Sequence, residues 1–171
     1  MDVQSIIANL TKRVEDLELL TENNLRGNAY AQIYETEAAS VITVTVAGTY
    51  YGWITGAECC SNILVTDIAS PTGDRIIVPE RGVGMFRAGF NISYRASAND
   101  SVHWHIFKNG IIVPNIGTET KVLGVASTVE NSCSGLIELV KNDYIDLRVT
   151  SSTNGTTITI DHCNFFTHRL K

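Results

Sequence analysis

Two histidines on one strand, four cysteines and a scatter of acidic and hydroxyl side chains are the groups from which this chain could build chemistry. His103-Trp104-His105 sets two imidazoles on the same face of a strand, because strand side chains alternate. That spacing offers two ligands to a metal, but no third or fourth ligand stands nearby in the sequence. Solvated or inter-subunit histidines explain the pattern as well, and no bound metal or cofactor is expected. Cys59 and Cys60 are adjacent, unlike the spaced pairs of zinc and redox sites, and adjacent cysteines bond each other only with strain. Cys133 and Cys163 could bridge if their strands were neighbours; buried thiols behaving as small apolar groups are the reading preferred for all four. Asp161-His162-Cys163 has the residue types of a nucleophile and its base. In regular alternation Asp161 and Cys163 would share one face and His162 the other, so the three would not act together. No nucleophile elbow, phosphate-binding glycine loop, HExxH helix or EF-hand loop is present. Paired carboxylates could meet only in space. The expectation is a protein that is not an enzyme.

The scaffold for these groups is one chain of 171 residues with 44% hydrophobic side chains, enough for a real core. Thirteen Lys and Arg stand against 18 Asp and Glu, a formal net charge of −5. Nucleic-acid binding through phosphate neutralisation is therefore not expected. Apolar runs are only a few residues long, so no membrane insertion is expected. The start, MDVQSIIANLTKRVEDLELL, has charges interrupting its apolar positions and does not read as a secretory signal. Folding in a cytoplasm with reduced thiols is the expectation. The N-x-Ser/Thr triplets at Asn9, Asn91, Asn99 and Asn154 are then chance matches.

The hydrophobic period changes near residue 27. Val3, Ile7, Leu10, Val14 and Leu17 alternate spacings of four and three, a heptad seam with Ile7 and Val14 at a and the others at d. Arg13 falls at g and Glu18 at the following e, placed to pair between chains. Arg13-Val14-Glu15-Asp16-Leu17-Glu18 resembles the pattern that specifies trimers in short coiled coils, the Arg stem covering the seam. β-branched a with Leu d leans toward two strands, the Arg–Glu pattern toward three, and three is the reading taken. A single amphipathic helix packed on its own domain is the bland alternative. Thr21, Asn23 and Asn24 end the seam, and Gly27 is a plausible helix stop.

From Tyr30 onward the period is two. Strands are predicted at 30–34, 40–46, 62–68, 75–78, 85–95, 102–108, 111–113, 121–129, 136–140, 144–150 and 156–161. Asn109-Gly110 between apolar runs predicts a tight hairpin. In 85–95, Phe86, Ala88, Phe90, Ile92 and Tyr94 share one face, opposite Arg87, Asn91, Ser93 and Arg95. Ile145, Leu147 and Val149 likewise face away from Tyr144, Asp146 and Arg148. Many short strands without a second helical pattern read as an antiparallel all-β sandwich or jelly roll.

The order of these signals resembles the jelly roll shared by complement globular heads and tumour-necrosis-factor-like trimers. The resemblance rests on Gly84–Tyr94, on Ile106-Phe107-Lys108-Asn109-Gly110, on Ser134–Leu147 and on the aromatics Phe165 and Phe166, covering about residues 82–170. Asn142 stands where a turn glycine is usual, a mild departure because Asn tolerates the left-handed conformation. The opening Tyr30–Tyr34, Val41–Val46 and Thr49-Tyr50-Tyr51, and the ending Phe165–Leu170, are similar to such heads in bacteriophage virion proteins.

The resemblance implies a homotrimer on a virion surface, assembled in the host cytoplasm. Residues 1–27 would be a coiled-coil trimerisation and anchoring stem, with Val3, Ile7, Leu10, Arg13, Val14, Leu17 and Glu18 at the interface, and residues 28–171 a jelly-roll head. The expected role is a capsid decoration or head fibre, partnered by the major capsid protein or another virion component. The alternative is a receptor-binding tail-fibre tip that recognises host glycan or protein through polar loops such as Ala96–Ser101 or Asn115–Thr120.

Overall fold

The computed structural model describes residues 4, 6–7, 9–17, 29–36, 40–53, 58–62, 64–67, 73–124 and 127–170. Residues 9–17 form a helix, α1, and residues 4, 6 and 7 are also helical. Thr11 Oγ1 donates to the Ile7 carbonyl one turn back (3.0 Å). α1 spans two and a half turns, and no coiled coil is evident in the single chain. Val3, Glu18 and the junction of stem and head lie outside the described residues.

Among the described residues twelve strands follow: β1 Tyr30–Glu35, β2 Ser40–Val44, β3 Tyr51–Gly52, β4 Glu58–Asn62, β5 Val65–Asp67, β6 Arg75–Ile77, β7 Gly84–Ala96, β8 Asp100–Lys108, β9 Ile111–Val122, β10 Val129–Leu139, β11 Tyr144–Ser151 and β12 Thr156–Arg169. They make two antiparallel sheets. The first runs β10-β7-β12-β1-β4, with β2 on the other half of β12. The second runs β5-β6-β11-β8-β9, with β3 on the other half of β11.

Alternation builds the core. Phe86, Ala88, Phe90, Ile92 and Tyr94 of β7 are all buried, as are Val102, Trp104 and Ile106 of β8 and Ile145, Leu147 and Val149 of β11. Each large apolar side chain so buried contributes about 1.5–3 kcal/mol. The Tyr94 and Trp104 rings meet edge-on at 5.7 Å, joining the two sheets. Asn109 (φ 51°) and Gly110 (φ 80°) turn β8 into β9, as that dipeptide predicts. Asn142 takes the left-handed conformation (φ 68°) in the turn before β11.

Several predicted boundaries move. The 62–68 strand is two strands, β4 and β5. The predicted strands 111–113 and 121–129 are instead a long β9, Ile111–Val122, and the start of β10. Asn115–Thr120, expected as a loop, lies inside β9, because its pairing with β8 resumes after an irregularity at His105/Phe107 and carries Gly117, Thr118 and Glu119 along. Sequence polarity there reflects a strand with one wet face.

Candidate functional site

The outer face of the first sheet gathers a set of convergent side chains. Register lays it out in rows. Leu136, Arg87, His168 and Tyr30 face one another across β10, β7, β12 and β1. The next rows are Ser134, Gly89, Phe166 and Gln32, then Ser132, Asn91, Asn164 and Tyr34. Glu130, Ser93 and His162 close the top.

The face divides by polarity. Its lower half carries Met85, Leu136, Leu170 and Tyr30, all exposed, beside the half-buried Phe166. Gly89 makes this half flat. A Cβ there would stand 2.6 Å from the Cys133 carbonyl and 2.8 Å from Phe166 Cζ, so only glycine lets the Phe166 ring lie across the sheet. Arg87 is tied down by donating to Ser134 Oγ (3.0 and 3.2 Å). The upper half is an open groove of about 690 Å³ lined by Gln32, Tyr34, Asn91, Ser93, Ser132 and Asn164, among others. Asn164 Oδ1 is buried there and accepts no hydrogen bond. A flat apolar patch beside an amide-lined groove is a surface suited in chemistry to packing against another molecule.

The residues singled out for catalysis do not assemble. β12 carries a bulge between Ile160 and His162, so alternation breaks at Asp161. Asp161 turns outward with His162 and is gripped by Arg95, whose Nη2 donates at 2.7 Å. Cys163 stays inside, contrary to the expected sharing of a face with Asp161. Burial, aided by the nearby Glu35 carboxylate, pushes the Cys163 thiol well above its ordinary pKa, which suppresses the thiolate a nucleophile needs.

All four cysteines are free. Cys133 on β10 and Cys163 on β12 are separated by β7, which pairs with both, so the conceivable bridge does not form. Cys59 and Cys60 are exposed, which corrects the buried reading; among the described strands β4 is the outermost of its sheet.

His103 and His105 share the outer face of the second sheet, as alternation requires. His103 Nε2 lies 3.7 Å from Glu119 Oε1. No group of three metal-ligating side chains occurs among the described residues. The loop expected at 96–101 narrows to a tight turn, since β7 runs to Ala96 and β8 starts at Asp100.

No family model and no curated protein matches the sequence. The fold does have a match among solved structures. Eiger TNF from S. frugiperda superposes with a TM-score of 0.55 at 11% identity, over 85% of this chain and 94% of that one. The head is a TNF-like jelly roll. At that identity the likeness is one of fold alone. Within this jelly roll, sequence reasoning missed the flat face, because it is made by cross-strand rows and not by any local motif. The available signal was a glycine, Gly89, in the middle of an otherwise bulky alternating strand.

Proposed function

We propose that this chain is a structural, non-catalytic virion protein, a homotrimer displayed on a bacteriophage capsid as a decoration or head fibre. One observation carries the trimeric reading. Ile7, Leu10, Val14 and Leu17 of the helical stem are each more than half exposed in the single chain. An apolar heptad seam left open in this way is satisfied by copies of itself, with Val3 extending it and Arg13 and Glu18 pairing across chains. The flat lower half of the first sheet's outer face gives the jelly rolls a second apolar surface to close around an axis. On this reading the stem engages the capsid and the head points outward.

The amide-lined upper groove supports the alternative role, a tail-fibre tip holding a host glycan, since neutral amides and hydroxyls match sugar hydroxyls.

Light scattering on the intact chain tests the trimer. The expected molar mass is about 56 kDa, three times the 18.7 kDa of one chain. A monomer would overturn the stem and face readings together. Immunogold against the head on purified virions tests the location. Label confined to the tail, with saturable binding of the trimer on a glycan array, would replace the decoration role by the receptor-binding one.

A further inference from the structure

His105 occupies an unusual seat on the outer face of the second sheet. Its imidazole lies over Gly117 of β9, where even a Cβ would stand 2.0 Å from Nδ1, so only glycine leaves room for the ring. From the other side Tyr50 closes over it, edge-on at 5.8 Å, and also meets Phe107 at 5.0 Å. Tyr50 precedes β3. β3 and β8 pair with the same residue of β11, Arg148, from opposite edges. The Tyr50 ring therefore reaches across β11 to hold β8. Nδ1 of His105 is buried and without a hydrogen-bond partner.

The charges around the ring do not welcome a proton. On β8, His103 shares the face. On β11, Arg148 sits opposite His105 in register, its guanidinium 4.5 Å above the Phe107 ring. Asp146 is the nearest acid on β11, but both of its oxygens already accept from Arg148 (3.0 and 2.8 Å). On β9, Glu119 faces His103. Burial first, and then the charge of His103, lower the His105 pKa, with a hydrogen bond to the Val113 backbone opposing them. A proton would charge a partly buried ring set beside His103 and Arg148, and the Val113 backbone offsets only part of that cost.

We propose that His105 is an acid-operated latch: neutral, it holds Tyr50 and the β2–β3 segment on the second sheet, and protonated, it lets them go. Besides the Tyr50 contact, hydrogen bonds fasten the segment along its length, among them Ala47 N–H to Asn154 Oδ1 at 2.7 Å and Trp53 N–H to the Leu147 carbonyl at 2.9 Å. Tyr51 Oη lies 2.5 Å from Thr45 Oγ1 and accepts from the Val46 N–H at 3.1 Å, while the Gly48 N–H donates to the Ser151 carbonyl. Losing the Tyr50 contact would expose these amides to exchange.

Hydrogen exchange on the intact protein, corrected for the intrinsic pH dependence of exchange, reads this directly. Peptides covering residues 45–53 should lose protection by about tenfold or more between pH 7.5 and the acid side of the His105 titration. His105→Gln should abolish that step, and His103→Gln should keep it. Because His105→Gln also removes the ring packed between Gly117 and Tyr50, the wild-type protein supplies a second readout. The NMR titration midpoint of the His105 imidazole should lie below that of a free imidazole and coincide with the loss of protection. A protection step that survives in His105→Gln overturns the latch. So does an imidazole that titrates while residues 45–53 keep their protection.

Discussion

Asp100 offers the sharpest test of how this head is held together. Its carboxylate is buried where β8 begins, and it clamps the turn between β11 and β12. Oδ1 accepts from the Ser152 N–H (3.2 Å) and the Ser152 hydroxyl, and Oδ2 accepts from Thr156 Oγ1 at 2.7 Å. Burial alone would raise its pKa. The hydrogen bonds from Ser152, Thr156, Ser151 and the Ser101 backbone outweigh burial and hold it below the ordinary carboxylate value. Asp100→Ala removes three charge-assisted bonds. Thr156 keeps an alternative acceptor, the Thr153 carbonyl at 3.2 Å, and Ser152 N–H keeps the Ser101 carbonyl at 3.0 Å. The net loss is therefore about 3 kcal/mol, below the sum for three such bonds. For a chain of this size that is a Tm drop of about 6–12 °C at pH 7. Asp100→Asn keeps one oxygen for Ser152 and lets the Thr156 hydroxyl rotate, so it should lose about half as much.

The sign with pH follows from the lowered folded pKa. The unfolded carboxyl titrates near the ordinary value of about 3.9, so the ionised clamp contributes fully above that. Its contribution fades as pH falls through the lower folded pKa. Calorimetric scans of wild type and Asp100→Asn should therefore converge as pH drops from 7 toward 3. Equal melting at pH 7, or a gap that persists unchanged at pH 3, would refute the clamp.

Asn109→Ala should cost about 2–3 kcal/mol in urea unfolding, because Asn109 is left-handed, donates to Asp143 Oδ1 at 2.6 Å and accepts from the Tyr144 N–H at 2.9 Å. Asn109→Gly should recover about 1 kcal/mol of that by relieving the backbone alone. Gly89→Val should lower stability by about 1–3 kcal/mol, since the added side chain meets the Cys133 carbonyl and Phe166. On the trimeric reading it should also weaken assembly in sedimentation velocity, by spoiling the flat face. Leu10→Asp should do so without changing the head's far-UV spectrum. Losing about 1 kcal/mol of seam burial in each of three copies weakens the trimer about a hundredfold, before the cost of the carboxylate.

Much of the jelly roll was legible from local pattern. Alternation on β7 assigned Phe86 to Tyr94 to the core, because a strand's two faces see different solvents whatever its neighbours are. Asn109-Gly110 announced its turn because the required φ angles exclude most other residues. The heptad spacing of Ile7, Leu10, Val14 and Leu17 likewise announced a helix, and its exposure in one chain is what the proposed trimer rests on.

Tertiary structure decided what depends on strands far apart in sequence. Asn91, Asn164 and Tyr34 line one row only because β7, β12 and β1 pair in that register. The Asp161 bulge, which turns that carboxylate out to Arg95, is a mismatch between two long strands and has no signature in either alone. Asp100 reads in sequence as an ordinary loop acid. Its buried clamp on Ser152 and Thr156 exists because chain closure brings two distant turns together, and one-dimensional patterns carry no term for that. The same holds for His105: its residue type is plain in the sequence, while the glycine below it, the tyrosine above it and the unpartnered Nδ1 are properties of the packed sheet.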